Sequence, residues 1–235
     1  MIKRIIKNSC LFNGDALSLM PTLIRQGRRV DMIFTDPPYK IIPHGSSGTM
    51  SGMCLSDLNR KGRVFEHNDI HIKDWAPMLY ALLKDGGHCY VMVNNYNLSE
   101  FLNVLQSTGF HFSKLITWDK QRKTCGRFYM NQSEFILFLW KTEGRKINRC
   151  GTPDIWSFPN KKTKDTEGKN IHDTEKPVEL FERAIINSST EGEIVFDPFM
   201  GIGGCAVAAR KTRRRFVGCE ISDKYFKSAL LRVEN

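Results

Sequence analysis

Four acidic residues of this 235-residue chain stand where a strand pattern gives way to a turn. They are Asp15 in Asn13-Gly14-Asp15-Ala16-Leu17, Asp36 in Phe34-Thr35-Asp36-Pro37-Pro38-Tyr39-Lys40, Asp197 in Val195-Phe196-Asp197-Pro198-Phe199-Met200-Gly201-Ile202-Gly203-Gly204, and Glu220 in Phe216-Val217-Gly218-Cys219-Glu220. Two consecutive prolines after Asp36 fix φ, remove two N–H groups and bar helix and strand alike. A carboxylate, two carbonyls and the Tyr39 ring are thereby held in one arrangement, although Asp-Pro is also a common way to open an ordinary turn. The glycines at 201, 203 and 204 permit a tight strand-to-helix turn and close approach of a ligand to the backbone. Glu220, nineteen residues past Gly201, is placed to bind two ribose hydroxyls, and an acid at 197 suits a ligand that carries positive charge.

The elements that must hold these residues alternate. Apolar, β-rich runs at 10–14, 31–35, 87–93, 112–118, 134–140, 193–196 and 215–220 predict strands, and amphipathic patterns at 15–26, 74–84, 97–108, 176–188, 203–211 and 222–233 predict helices. The alternation reads as an α/β fold with a mainly parallel sheet. The run 134–140 is apolar without alternation, as in a strand covered on both faces. No helix pattern separates 112–118 from 134–140, so that pair is expected to be antiparallel. Two segments stand outside the layers: 40–73, rich in Gly and Ser at its start, and 141–171, with eight Lys or Arg against four Asp or Glu. Both read as insertions in a single domain spanning 1–235, since loops of this length usually serve a function.

Composition narrows the partners. A hydrophobic content of 41% predicts a folded core, and a formal charge of +10 favours a polyanionic partner. Seven cysteines occur without a C-x-x-C pair, so neither a zinc ribbon nor a dithiol redox site is indicated and no metal is expected. The first ten residues carry no secretory pattern, and no apolar run has the length of a membrane span. The expected location is cytoplasmic.

Gly201-x-Gly203-x-x-Ala206 matches a dinucleotide fingerprint, which would make a nicotinamide oxidoreductase. Against this, only one helix pattern follows Glu220, and a pyrophosphate cradle has no use for Asp197. "DPPY" at 36–39 together with "DPFMGIGG" at 197–204 resembles instead the S-adenosylmethionine-dependent amino-methyltransferases that act on DNA, and the order of the two motifs resembles their beta class. Asn13–Leu17, "HDTEKP" at 172–177 and "CEISDKYF" at 219–226 are similar to further blocks of that family. The resemblance covers most of the chain. It implies a Rossmann-like methyltransferase fold, circularly permuted, with a mostly parallel seven-stranded sheet and one antiparallel strand. The termini would be neighbours, where permutation is tolerated, and the four acids would share one edge of the sheet.

By this resemblance Glu220 holds the ribose, Asp15 and Ala16 meet the adenine, and Asp197, Phe199, Gly201, Ile202 and Gly203 line the methionine half. His172 and Thr174 match a further cofactor-contacting block, and Asp36 adjoins the cofactor. Asp15 has a second reading as the cap of helix 15–26, and Lys176 reads as the start of a helix with Pro177 in its first turn. Where family glycine turns often read GSGTT, Ile202 and Gly204 each replace a hydroxyl.

Asp36, Pro37, Pro38 and Tyr39 would form the catalytic set. The lone pair of an exocyclic amine is delocalised into its ring. Hydrogen bonds to the Asp36 carboxylate and the Pro37 carbonyl would localise it, and Tyr39 would stack on an extruded base. Phe128 and Tyr129 suit either the opposite wall or the core. Lys120, Arg122, Lys123 and Arg127 lie beside the expected pocket and are candidate DNA contacts, with 40–73 and 141–171 as DNA-recognition segments. Arg210, Lys211, Arg213, Arg214 and Arg215 should lie at the far end of the sheet. The resulting expectation is an N6-adenine methyltransferase of double-stranded DNA, prokaryotic or phage-encoded. An aspartate at the head of the tetrad leans toward adenine. A cytosine-N4 enzyme and a non-catalytic nucleic-acid-binding homologue are the alternatives, and a homodimer and a cognate restriction enzyme stay open.

Overall fold

The computed structural model describes residues 1–38, 70–124, 128–164, 167–168 and 175–235. In chain order the elements are β1 (Ile2–Ile6), β2 (Ser9–Asn13), α1 (Ala16–Arg25), β3 (Val30–Thr35), α2 (Ile72–Leu82), β4 (Leu83–Val93), α3 (Leu98–Ser107), β5 (His111–Thr124), β6 (Asn131–Trp140), β7 (Ile155–Ser157), α4 (Val178–Ser188), β8 (Ile194–Asp197), α5 (Gly204–Lys211), β9 (Arg215–Glu220) and α6 (Asp223–Glu234). The strands form one sheet in the order β1-β2-β9-β8-β3-β4-β6-β5-β7.

Within it the seven predicted strands run from β2 to β5 with a single antiparallel member, β6, as expected. The described sheet nevertheless has nine strands rather than seven, because each edge carries one more. β1 is antiparallel to β2, and β7 is parallel to β5. Ile2–Ile6 is almost wholly exposed and carries Lys3 and Arg4, so no buried face writes an alternating pattern into it, and charges on an edge strand discourage edge-to-edge association. β7 has three residues, with Trp156 between two exposed neighbours.

Sheet faces explain the helix patterns. Leu180, Phe181, Ala184 and Ile185 of α4, Cys205, Ala206, Ala208 and Ala209 of α5, and Phe226, Ala229 and Val233 of α6 pack on one face. Leu19 and Met20 of α1, Trp75, Ala76 and Leu79 of α2, and Phe101 and Leu105 of α3 pack on the other. β3, with every residue buried, lies between both layers. From β8 the chain winds through α5 to β9, away from β3, whereas from β3 it winds toward β4. The strand order therefore reverses between β8 and β3, the crevice where such sheets bind ligands. Lys7 Nζ donates to the Glu234 carbonyl at 3.4 Å, so the first strand and last helix do meet.

Candidate active site

Asp36 directly follows β3, Asp197 and Glu220 are the last residues of β8 and β9, and Asp15 lies two residues beyond Asn13, the end of β2. These strands are adjacent and parallel, which brings the four acids to one edge. β6 is antiparallel, so its first residues reach the same edge, as does the long C-terminal end of β5.

Asp197 is 3% exposed. Its Oδ1 accepts from Thr35 Oγ1 at 3.0 Å and from the Phe199 amide at 3.1 Å. Burial pushes its carboxyl up to about 8 despite these hydrogen bonds, and the nearby Asp36 and Glu220 push the same way. Glu220 is oriented by the backbone: Oε2 accepts from the Gly201 amide at 3.0 Å and Oε1 from Ser222 at 2.8 Å. The turn between them needs its glycines. Gly201 and Gly203 have φ of 53° and 79°, and a Cβ at 203 would lie 3.1 Å from the Ala229 Cβ of α6. Phe199 meets Trp75 edge to face at 5.9 Å. Ile202 is buried, and its carbonyl accepts from Arg232 at 3.1 Å. A crowded set of acids at a glycine turn, one pushed toward neutrality, fits a ligand with a positive centre and hydroxyl groups.

Asp15 performs its second reading. It caps α1 by accepting from the Leu17 amide at 3.0 Å and from Ser18 Oγ at 3.2 Å. Ala16 is buried beside it. Tyr39, Arg127, His172 and Thr174 lie outside the described residues, as does nearly all of the 40–73 segment.

A second cluster adjoins the first. Lys176 Nζ stands 2.8 Å from Asp36 Oδ2 and 3.4 Å from Glu134 Oε2, and its side chain is only 7% exposed. Burial raises the Asp36 carboxyl, with Lys176 opposing. Burial also works on Glu134, but there Lys176 and Lys120 prevail and hold its carboxyl below the ordinary value. Lys162 donates to the Glu175 carbonyl at 2.8 Å. Burial first, and then Lys176, depress its ammonium to about 8. Glu175 is saturated by the Thr163 amide (2.6 Å), Thr163 Oγ1 (2.8 Å) and Arg232 (2.9 Å), which ties this cluster to α6 and the glycine turn.

Lys176 is thus not the start of α4; Pro177 caps that helix and Val178 begins it. Lys120 also differs from the expectation of a DNA contact. It pairs with Glu134 at 3.4 Å with 11% of its side chain exposed, because β5 continues past 118 and turns it inward. Arg122 and Lys123 lie on the exposed end of that strand. Phe128 and Tyr129, 84% and 90% exposed, do not join the core. The 141–164 stretch is stitched to the sheet for much of its length, through Arg145 on Glu193 at 2.9 Å, Trp156 in the core and Arg183 over Phe158 at 4.5 Å. The arginines around 213 lie where β9 begins, at the opposite edge, as expected. Lys211, Arg213 and Arg215 are exposed there, Arg213 pairing with Glu191 at 2.7 Å at the surface, whereas Arg214 is buried on Ser189.

Lys176 and Glu134 are the residues that sequence reasoning missed. The available signal was a lysine directly before a proline-capped helix, where the helix itself has no need of it.

Known proteins share the chain's motifs and fold. Residues 30–231 match the family model for DNA methylases. The type II methyltransferase M2.DpnII of Streptococcus pneumoniae is 29% identical, over 87% of this chain and 82% of that protein. The type II methyltransferase M2.MboI of Moraxella bovis is 27% identical, over 91% and 83%. Among solved structures, the M1.HpyAVI–SAM complex shares the fold with a TM-score of 0.70 at 23% identity, covering 94% of this chain and 98% of that one. The PvuII cytosine-N4-specific DNA methyltransferase does so with 0.71 at 16%, covering 96% and 86%. With the model spanning most of its length and both motif clusters gathered at one edge of the sheet, the chain belongs to the DNA methylase family, enzymes that transfer a methyl group from S-adenosylmethionine to DNA.

Proposed function

We propose that the enzyme methylates the N6 amine of an adenine extruded from double-stranded DNA. The observation that carries this reading is the placement of Asp36. Its carboxylate stands at the tip of β3, one strand from Asp197 and two from Glu220, on a backbone locked by Pro37 and Pro38. When bound, S-adenosylmethionine would supply a methyl group made electrophilic by the sulfonium that carries it, and the sulfur would keep the electrons of the broken S–CH3 bond and leave as a neutral thioether. Glu220 holds the ribose, Asp15 and Ala16 border the adenine, and Asp197 with Phe199 and the 201–203 turn borders the methionine half, joined by His172 and Thr174. Asp197 accepts only neutral donors among the described residues, so a positive ligand beside it keeps it ionised.

Asp36 and the Pro37 carbonyl take the two N–H bonds of the target amine and aim its lone pair at the methyl carbon. As the new N–C bond forms, the nitrogen gives up one proton, and Asp36 is placed to receive it. Tyr39 stacks on the base. Arg122 and Lys123, on the exposed end of β5, reach the phosphates together with Arg127, and 40–73 and 141–171 contribute to recognition within one catalytic domain. The enzyme works in the cytoplasm beside a restriction enzyme of the same specificity, as a modification enzyme does.

Transfer of labelled methyl to duplex DNA, followed by nucleoside analysis, tests the reading. N6-methyl-2′-deoxyadenosine is the expected product. N4-methyl-2′-deoxycytidine would assign the pocket to cytosine, and no labelled nucleoside would leave a non-catalytic binder.

A further inference from the structure

Asp36 is asked to accept hydrogen bonds from an amine, which a protonated carboxyl does poorly, yet it is largely buried and crowded by other acids. Groups facing it come from every side of the site. Asp197 closes β8, Glu134 extends from β6 with Lys120 of β5 behind it, Lys162 follows β7, and Glu175 and Lys176 precede α4. Of these, Lys176 alone is shown in direct contact with Asp36, Nζ to Oδ2 at 2.8 Å, and on its other side it meets Glu134 at 3.4 Å.

We infer that Lys176 is a positioning residue of the methyl transfer: its ammonium, held between Asp36 and Glu134, fixes the Asp36 carboxylate in its ionised form and in one orientation, with Oδ2 toward the lysine and Oδ1 toward the target amine. The inference rests on the proposed role of Asp36 and goes beyond it. Several observations make the arrangement more than an incidental ion pair. The lysine is 7% exposed, so its charge is costly unless matched. It has two carboxylates, and the second is itself anchored by Lys120 at 3.4 Å, which keeps Glu134 from drawing Lys176 away. The polypeptide on either side is fixed as well, by Glu175 on Thr163 and Arg232 and by Pro177 at the start of α4. Burial and the acids Glu134 and Asp197 favour protonation of Asp36, while Lys176 and the more distant Lys162 oppose it. Removing the lysine therefore leaves an acid that stays protonated to higher pH.

The experiment is the pH dependence of single-turnover methyl transfer by the full-length enzyme, from about pH 5 to 9, with saturating DNA and S-adenosylmethionine. Lys176→Met should move the acid limb up by about one pH unit or more, so that the rate at a given pH on the limb falls about tenfold and recovers as pH rises. Lys176→Arg, which keeps the charge, should keep the limb within a few tenths of a unit of wild type. Calorimetric affinity for S-adenosylmethionine should be unchanged in both. Should Lys176→Met not fold, Glu134→Gln serves instead: removing a charge that repels Asp36 should shift the limb to lower pH. An acid limb that stays at the wild-type position in Lys176→Met, with the rate lowered evenly or not at all, overturns the inference, as does an upward shift in Glu134→Gln. Asp36→Asn separates the two levels. If it remains active, the catalytic reading of Asp36 fails; if it is inactive at every pH while the Lys176→Met limb is unmoved, only the role of Lys176 fails.

Discussion

At the edge where β8 and β9 begin, Arg145 spans both oxygens of Glu193 at 2.9 and 3.0 Å, Arg214 reaches the Ser189 carbonyl at 2.6 Å, and His88 sits between Ser188 Oγ at 2.7 Å and the Arg145 carbonyl at 2.8 Å. Asp31 is divided between Lys84 and the Ile194 amide. At the edge where the same strands end, Asp36, Asp197 and Glu220 crowd one another, and Asp197 is met by a hydroxyl and an amide. One edge closes its charges on themselves and serves stability. The other places Asp197, met only by neutral donors among the described residues, beside Asp36, whose charge is shared with Lys176, and burial raises both carboxyls. The contrast also corrects a reading of net charge: +10 says little about which arginines meet DNA, since several of them lock the far edge.

The largest effect that could break this comparison is on turnover. Asp36→Ala should lower methyl transfer by about 10²–10³, the scale for losing a preorganised polar contact to the reacting group. Its DNA affinity should stay close to wild type, because phosphate contacts dominate binding. Arg145→Met at the opposite edge should do the reverse. Turnover per folded molecule should be retained, while stability falls by about 1 kcal/mol, a modest figure because the Glu193 pair is partly screened by solvent. Methyl transfer and thermal unfolding measured on the same samples decide. Normal turnover in Asp36→Ala would remove the catalytic role assigned to the site edge.

Next in size is cofactor affinity. Glu220→Ala and Asp197→Asn should each weaken S-adenosylmethionine binding by roughly 1.5–3 kcal/mol, about ten- to a hundredfold. Asp197→Asn should also stabilise the ligand-free protein near neutral pH. The Asp197 carboxyl rises from 3.8 to about 8 on folding, so the folded state holds the extra proton across that window. The stability this confers is complete below the unfolded value and is lost as pH rises through about 8. Calorimetry and unfolding of the two variants test both statements, and unchanged affinity in both would move the cofactor elsewhere.

The parts of this design that were legible in the sequence are those written by backbone chemistry. Pro37, Pro38, Gly201 and Gly203 demand special conformations, and Asp36, Asp197 and Glu220 ended apolar runs, so the strand tips could be named before their neighbours were known. The antiparallel β5–β6 pair followed from the absence of a helix between them. Edge strands β1 and β7 were not legible: one carries no buried face and the other is three residues long. Lys120, Glu134 and Lys176 were hidden for another reason. Their partnership joins β5, β6 and the approach to α4, segments far apart in the chain, and no local pattern marks a lysine that folds inward to a carboxylate. Burial of Arg214 was hidden in the same way, since a basic cluster reads as exposed until Ser189 is brought beneath it.

His88 sharpens the comparison through pH. Burial lowers its imidazole from 6.5 to about 4, with the Arg145 carbonyl opposing. The folded state therefore refuses a proton that the unfolded chain accepts. Stability from this residue is complete above the unfolded value and declines as pH falls from about 6.5 through about 4, by up to about 3 kcal/mol. The slope is opposite in sign to that of Asp197. His88→Gln should flatten the acid side of a stability–pH profile and leave the alkaline side alone, whereas Asp197→Asn should flatten the side toward pH 8. If His88→Gln leaves the acid slope intact, another group governs acid unfolding.

The smallest effect concerns DNA binding at a single salt concentration, but its salt dependence discriminates between the edges. Arg122 and Lys123 lie on the exposed end of β5, which projects from the same edge as Asp36, whereas Arg213 is paired with Glu191 at 2.7 Å at the other edge. Each phosphate contact contributes about −0.9 to the slope of log K against log salt on duplex DNA. Replacing Arg122 and Lys123 together with alanine should flatten that slope by up to about two such increments, while replacing Arg213 and Arg215 should change it by less than about one. Arg214 is left out of this test because its guanidinium is buried on Ser189, and its loss would report on folding. Titrations at several salt concentrations measure both pairs. A steeper loss from the 213 and 215 pair would place the duplex against the edge where β9 begins, and the strand tips would then face away from the DNA they are proposed to modify.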